Sequence, residues 1–234
     1  YVPFLLFLFF LYGCNGNKQE EKEDVSVFVD LPQLKAEGEI TAVTLYSSTS
    51  YFQYKMQPMG YEYDLINDFA KSQGLKLNIK VAENPARLIE MLEAGEADVV
   101  AYPIPINNKL KQEVIYCGRE DISSQVLIQR ANKGDKLLTD VTQLIDKNVY
   151  VKPNTKYSER LKNLDEELGG GIHIQKVEND SIATEDLIEM VSLGEIPYTI
   201  SDDNTARLNK TYYWNINVDL KVSFPQRSSW GVRK

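Results

Sequence analysis

The residue types able to do chemistry in this sequence are 34 acids, one histidine and two cysteines, and their spacing decides what they can do. Glycosidic cleavage uses a pair of placed carboxylates, and no acid here falls into a motif that supplies one. No nucleophile stands beside a base in a recognisable arrangement. Zinc takes three or four ligands; His173 has neither a second His nor a Cys near it, so it reads as structural or exposed. Cys117, in Ile115-Tyr116-Cys117-Gly118, reads as a small buried hydrophobe at a strand end. No catalytic residue, metal or cofactor is expected, which leaves binding chemistry.

An amino-acid-like ligand carries a carboxylate and an ammonium, and burying either costs several kcal/mol unless it is paired. A cleft for one should offer a cation, an anion, N–H groups and an apolar or aromatic wall. Asn154-Thr155 opens a predicted helix, and helix N-termini bind anions through free amides; simple capping by Thr155 explains the same residues without a ligand. Tyr51, Phe52 and Tyr54 follow the first predicted strand and form a candidate wall, with plain packing as the alternative. The net charge of −8, from 26 basic and 34 acidic residues, argues against nucleic acid as a partner, because duplex binding needs clustered Lys and Arg.

Those residues need a scaffold, and the hydrophobic pattern describes one. Ile40 to Leu45 is β-rich; Leu65, Ile66, Phe69 and Ala70 recur at helical spacing; Leu75, Leu77, Ile79 and Val81 alternate as in a strand. Pro85 opens a helix with Leu88, Ile89, Met91 and Leu92 on one face, and Asp98 to Tyr102 is the next strand. This β-α-β-α-β order predicts a mostly parallel sheet flanked by helices. A second set follows: strands at Val126 to Gln129, Val149 to Val151, Ile172 to Val177 and Tyr198 to Ser201, with helices at Asp140 to Ile145, Tyr157 to Leu168 and Thr184 to Leu193. The chain then returns through Ala206-Arg207-Leu208 to extended pieces at Val218 to Val222 and Ser229 to Val232. Lobe 1 is expected over 39–125 plus 205–234 and lobe 2 over 126–204, with crossings near Gln125 to Arg130 and Ile200 to Asn204. A ligand cleft is expected between the lobes.

Ahead of the folded part, Val2 to Tyr12 is nearly all apolar. It is shorter than the ~20 residues a membrane-spanning helix needs and has the length of a signal-peptide core. It ends in Leu11-Tyr12-Gly13-Cys14, which resembles the bacterial lipobox, so residues 1–14 read as a lipoprotein signal peptide with Cys14 as the acylated residue. Residues 15–38 are expected to be a flexible tether, on the strength of the polar run Asn15 to Asp24. The expected location is periplasm-facing, held at a membrane by acyl chains, with the outer membrane favoured.

Two runs resemble family 3 extracellular solute-binding proteins: Met59-Gly60-Tyr61-Glu62-Tyr63-Asp64-Leu65, followed by Phe69-Ala70 and Gly74, and Leu92-Glu93-Ala94-Gly95-Glu96-Ala97-Asp98. The resemblance covers Glu39 to Lys234 and implies a two-lobed α/β fold of the periplasmic-binding-protein-like type II. Glu185 to Asn204, Tyr212-Tyr213 and Trp230 to Lys234 are similar to the non-catalytic N-terminal domain of membrane-bound lytic murein transglycosylase F. That likeness implies a following lysozyme-like domain acting on peptidoglycan, whose catalytic Glu has no counterpart here. It also implies site roles. Lys109, in Ile106-Asn107-Asn108-Lys109, stands where the family has an Arg that grips the ligand carboxylate, although a lysine cannot make the planar bidentate pair. Asp202 stands where an Asp takes the ligand ammonium, with helix capping as the alternative role and the cap assigned rather to Asp203. Asn154 replaces a usual Gly, and Tyr51 replaces the Pro of a P-F-x-F loop.

The reading is a binding or regulatory module for a small amino acid or cell-wall peptide, linked to peptidoglycan through an absent catalytic domain and to a membrane through lipid. The alternative is a free-standing amino-acid receptor of an ABC importer. Catalysis by these residues themselves is the third class, and no motif supports it.

Overall fold

The computed structural model describes residues 30–179 and 182–234. The expected signal segment, Cys14 and the tether up to residue 29 lie outside them. In chain order the first half holds α1 (Leu31–Glu37), β1 (Glu39–Leu45), β2 (Phe52–Tyr54), β3 (Gln57–Met59), α2 (Tyr61–Gln73), β4 (Lys76–Ala82), α3 (Pro85–Glu93), β5 (Val99–Pro105), α4 (Leu110–Glu113) and β6 (Val114–Ser123). The second half holds β7 (Gln125–Arg130), a 3-10 turn at Val141–Leu144, β8 (Asn148–Val151), α5 (Lys156–Glu167), β9 (His173–Lys176), α6 (Thr184–Leu193), β10 (Tyr198–Asp202), α7 (Asp203–Lys210), β11 (Ile216–Asn217) and β12 (Gln226–Arg233).

Two five-stranded sheets define the lobes, in the orders β4-β1-β5-β12-β6 and β11-β7-β10-β8-β9. The expected parallel pairing holds for β4, β1 and β5, and for β10, β8 and β9. The strands that carry the chain between lobes pair antiparallel: β12 with β5 and β6, and β7 with β10 and β11. Each sheet is covered on both faces, so its central strands are apolar on both sides. In lobe 1, Ile40, Ala42, Val99 and Ala101 pack toward α1 and α2, while Val43, Val100 and Ile104 pack toward α3. In lobe 2, Leu127, Val149, Val151 and Ile200 face α5, and Val126 and Ile128 face α6 and α7.

Two expectations are corrected. The last part of the supposed tether is helical: α1 is capped by the Asp30 side chain, carries Pro32 in its first turn, ends at Gly38 with φ 81° and buries Leu34. The second crossing is not at Ile200 to Asn204. Helix α7 stays on lobe 2, where Ala206, Ile216 and Val218 are buried in its core, and Val126 still pairs with Lys221. The return to lobe 1 therefore falls between Val222 and Gln226. There Gln125 N–H donates to Ser223 Oγ at 2.8 Å, and its side-chain amide reaches Gln226 at 3.3 Å. No helix among the described residues is long and apolar enough to cross a membrane.

Candidate ligand-binding cleft

The loop after β1 forms the lobe 1 side of the cleft, and α2 anchors it. Tyr61 N–H donates to Thr49 O at 2.8 Å and Tyr63 N–H to Ser50 O at 3.1 Å. Gly60 permits this approach: its φ is +135°, and a Cβ there would lie 2.3 Å from the Ser50 carbonyl oxygen. The loop so fixed presents Ser48, whose N–H and hydroxyl donate to the Glu185 carboxylate at 3.2 and 3.1 Å. Glu185 sits in the first turn of α6 on lobe 2, where the helix dipole also favours a negative charge. These bonds join the lips of the two lobes.

A second cluster lies deeper on lobe 2. Asp202 ends β10 at the N-cap position of α7, yet its side chain makes no capping bond. Its carboxylate accepts instead from the Lys156 ammonium and, at 3.1 Å, from the Tyr157 phenol. Both donors come from the first turn of α5. The Lys156 and Asp202 side chains are 17% and 15% exposed, which makes theirs, with Arg233–Asp98, one of the two least solvated ion pairs among the described residues. From lobe 1, Tyr102 of β5 faces this group. Burial, and then the negative charges of Asp202, Glu185 and Glu62, push its phenol up. Tyr157 is pushed well up by burial, with Asp202 and Tyr102 adding to the effect. Both phenols are therefore neutral hydrogen-bond donors at physiological pH.

The residues singled out in the sequence divide. Asp202 is in this cluster, and Asn154-Thr155 adjoins it at the start of α5. Asn154 has φ +56°, the left-handed conformation that glycine adopts freely and asparagine tolerates. Thr155 caps: its hydroxyl accepts from Ser158 N–H at 3.3 Å, and its own N–H donates to Ser158 Oγ at 3.1 Å. Asp203 does not cap α7; its carboxylate pairs with Arg207 one turn on, at 2.7 Å. Lys109 is exposed at the start of α4 and joins none of the ion pairs among the described residues. Tyr51 is buried within lobe 1, edge-on to Tyr46 and Tyr63 with centroids 6.4 and 5.8 Å away. Phe52 is half-buried, and Tyr54 is exposed beside Lys55 at the hairpin tip. His173 is exposed, and Cys117 lies within β6, where burial pushes its thiol up. Among the described residues no group of three or more His, Cys, Asp or Glu could hold a metal ion.

Sequence reasoning missed Ser48, Tyr102, Lys156, Tyr157 and Glu185. Position offered a signal for most of them: Tyr102 lies in the strand predicted at Asp98 to Tyr102, and Lys156 and Glu185 each stand in a first helical turn.

The model of the bacterial extracellular solute-binding proteins, family 3, matches residues 40–211. The chain belongs to that family. This solute-binding protein is 32% identical to a membrane-bound lytic murein transglycosylase F from Desulfosudis oleivorans, over 86% of this chain and 43% of the relative. It is 28% identical to a protein of the same name from Pseudomonas fluorescens, over 86% of this chain and 41% of the relative. The chain thus spans less than half the length of these relatives. Its fold is that of the periplasmic binding proteins: the arginine-bound form of truncated ArgBP from T. maritima superposes with a TM-score of 0.73 at 20% identity, covering 87% of this chain and 92% of that one. An ancestral arginine-binding protein bound to glutamine gives 0.69 at 19% identity, with 84% of each chain covered.

Proposed function

We propose that this solute-binding protein is the ligand-sensing module of a lipid-anchored protein of the lytic murein transglycosylase type. It closes on a small amino-acid or cell-wall-peptide ligand between its lobes and so biases a peptidoglycan-cleaving domain in the same gene product. The observation that carries the reading is the polar cluster where the lobes meet. Ser48 and Tyr102 from one side face Glu185, Lys156, Tyr157 and Asp202 from the other. Such a cluster changes its contacts when lobes move about two short crossings, as in hinge closure. The likeness to two transglycosylases over 86% of this chain supports the modular setting. In this reading Cys14 carries the acyl chains, and the module faces the periplasm from the outer membrane.

A second reading is a free-standing receptor that hands an amino acid to an ABC importer. The superposition on an arginine-bound protein over 92% of that chain favours it, because it needs no further domain.

Thermal-shift measurements on the purified protein separate the two. A ligand at about 100 times its Kd adds about 2.7 kcal/mol to the folded state. A midpoint raised by a cell-wall tetrapeptide and not by L-arginine or L-glutamine supports the sensing module. A strong shift with a common amino acid supports the receptor. No shift with any of them sinks both.

A further inference from the structure

The Asp202 carboxylate is the anion that a ligand ammonium entering this cleft would meet, and it already has one. The Lys156 ammonium is bound to Asp202 Oδ2, and the Tyr157 hydroxyl donates to the same oxygen at 3.1 Å. Lys156 comes from a different element, 46 residues away in sequence, and its side chain is largely withdrawn from water to reach this carboxylate. A second ammonium would have to displace the first or sit beside it. The first course breaks a partly desolvated ion pair; the second sets two like charges within a few ångströms in a low-dielectric pocket. A ligand carboxylate meets the reverse situation. Lys156 has three N–H donors, and the Tyr102 phenol, which feels the Asp202 charge from the other lobe, stays protonated.

We infer that Lys156 is a built-in occupant of the Asp202 site and sets the ligand class. The cleft takes carboxylic acids whose nitrogen is acylated, as in a peptide's C-terminal residue, and turns away free α-amino acids. This rests on the reading of the cleft as a ligand site and narrows it.

The test compares wild type, Lys156→Ala, Lys156→Gln and Lys156→Ala combined with Asp202→Asn by calorimetric titration. The probes are L-glutamine, Nα-acetyl-L-glutamine and a cell-wall tetrapeptide. The glutamine variant keeps the stem and a hydrogen bond to Asp202, so it covers the case in which the alanine variant fails to fold. Unliganded melting curves report folding for all four. The expected result is that either single variant binds L-glutamine roughly tenfold or more tighter than wild type, with no gain for the acetylated probe. The double variant loses the gain. Equal L-glutamine affinity in wild type and single variants overturns the inference and leaves the ligand cleft standing. So does tetrapeptide binding by wild type with no gain of L-glutamine binding in the variants. No binding of any probe to any folded protein overturns both.

Discussion

Two concavities in this protein invite comparison. One is a groove of about 1050 Å³ on lobe 1, between α1, α2 and strands β6 and β12, with walls that include Leu34, Leu65, Phe69, Ile115, Trp230 and Val232. The other is the cleft between the lobes. The groove is lined mainly by apolar side chains, and several of the polar groups on its wall hold the C-terminal strand. Trp230 Nε1 donates to Glu62 at 2.6 Å, while Arg233 pairs with Asp98 at 3.4 Å and donates to Leu92 O at 3.2 Å. All of these lie in one sheet or on helices packed against it, so no lobe movement separates them. In the cleft, the Ser48–Glu185 contact joins bodies with separate cores. Room alone does not mark a site; polar groups that face each other across a movable boundary do.

The sharpest way to break this contrast is Asp202→Ala. It strands the Lys156 ammonium in a largely desolvated place, and removing one partner of such a pair costs about 3 kcal/mol. Urea denaturation should show that loss. A loss near zero would place the pair among solvated surface contacts and erase the cleft's distinction.

The groove makes a different demand. Burial, partly offset by the Trp230 hydrogen bond and reinforced by Asp121, raises the Glu62 pKa from 4.5 to about 6. A raised carboxylate means that the folded state holds its proton more tightly than the unfolded one. The resulting stability is full below the unfolded value and is lost as pH rises through about 6. About 2 kcal/mol is at stake for a shift of this size. Glu62→Gln, which can still accept from Trp230, should therefore be more stable than wild type at pH 7 and level with it near pH 4. Melting midpoints measured across that range check it. Identical pH profiles for the two proteins would mean that Glu62 is not held in a dry wall, and the groove would lose its structural reading.

How much of this was legible in sequence follows from burial. The strands β1 and β5 bury both faces and announce themselves as apolar runs, and α6 matches its predicted span of Thr184 to Leu193. The edge strand β6 is half exposed and carries Arg119, Glu120 and Asp121, so its pattern is blurred. Helix α7 turns only Thr205, Ala206 and Asn209 inward and reads as polar coil, which is why the second crossing was misplaced. The β2–β3 hairpin turns on Lys55 and Met56, both with positive φ and neither the Gly or Asn that signals such a turn. In the site, Asp202 was legible as an acid after a strand. Lys156 was not, since a lysine beside a helix cap reads as solvated until the fold brings residue 202 to it.

The smallest expected effect tests the boundary itself. Glu185 accepts two bonds from Ser48 across the lips, and both groups keep access to water, so their net worth to global stability is under about 1 kcal/mol. Glu185→Ala should therefore leave the denaturation midpoint nearly unchanged. The same bonds count differently for lobe closure. Open and closed arrangements of a hinged protein differ by only a few kcal/mol, so losing even 1 kcal/mol of lip contact moves the populations several-fold. Small-angle scattering should then show a larger radius of gyration for the unliganded variant than for wild type. Equal radii would mean that the lobes are held by the crossings and not by the lips, and the cleft would be as fixed as the groove.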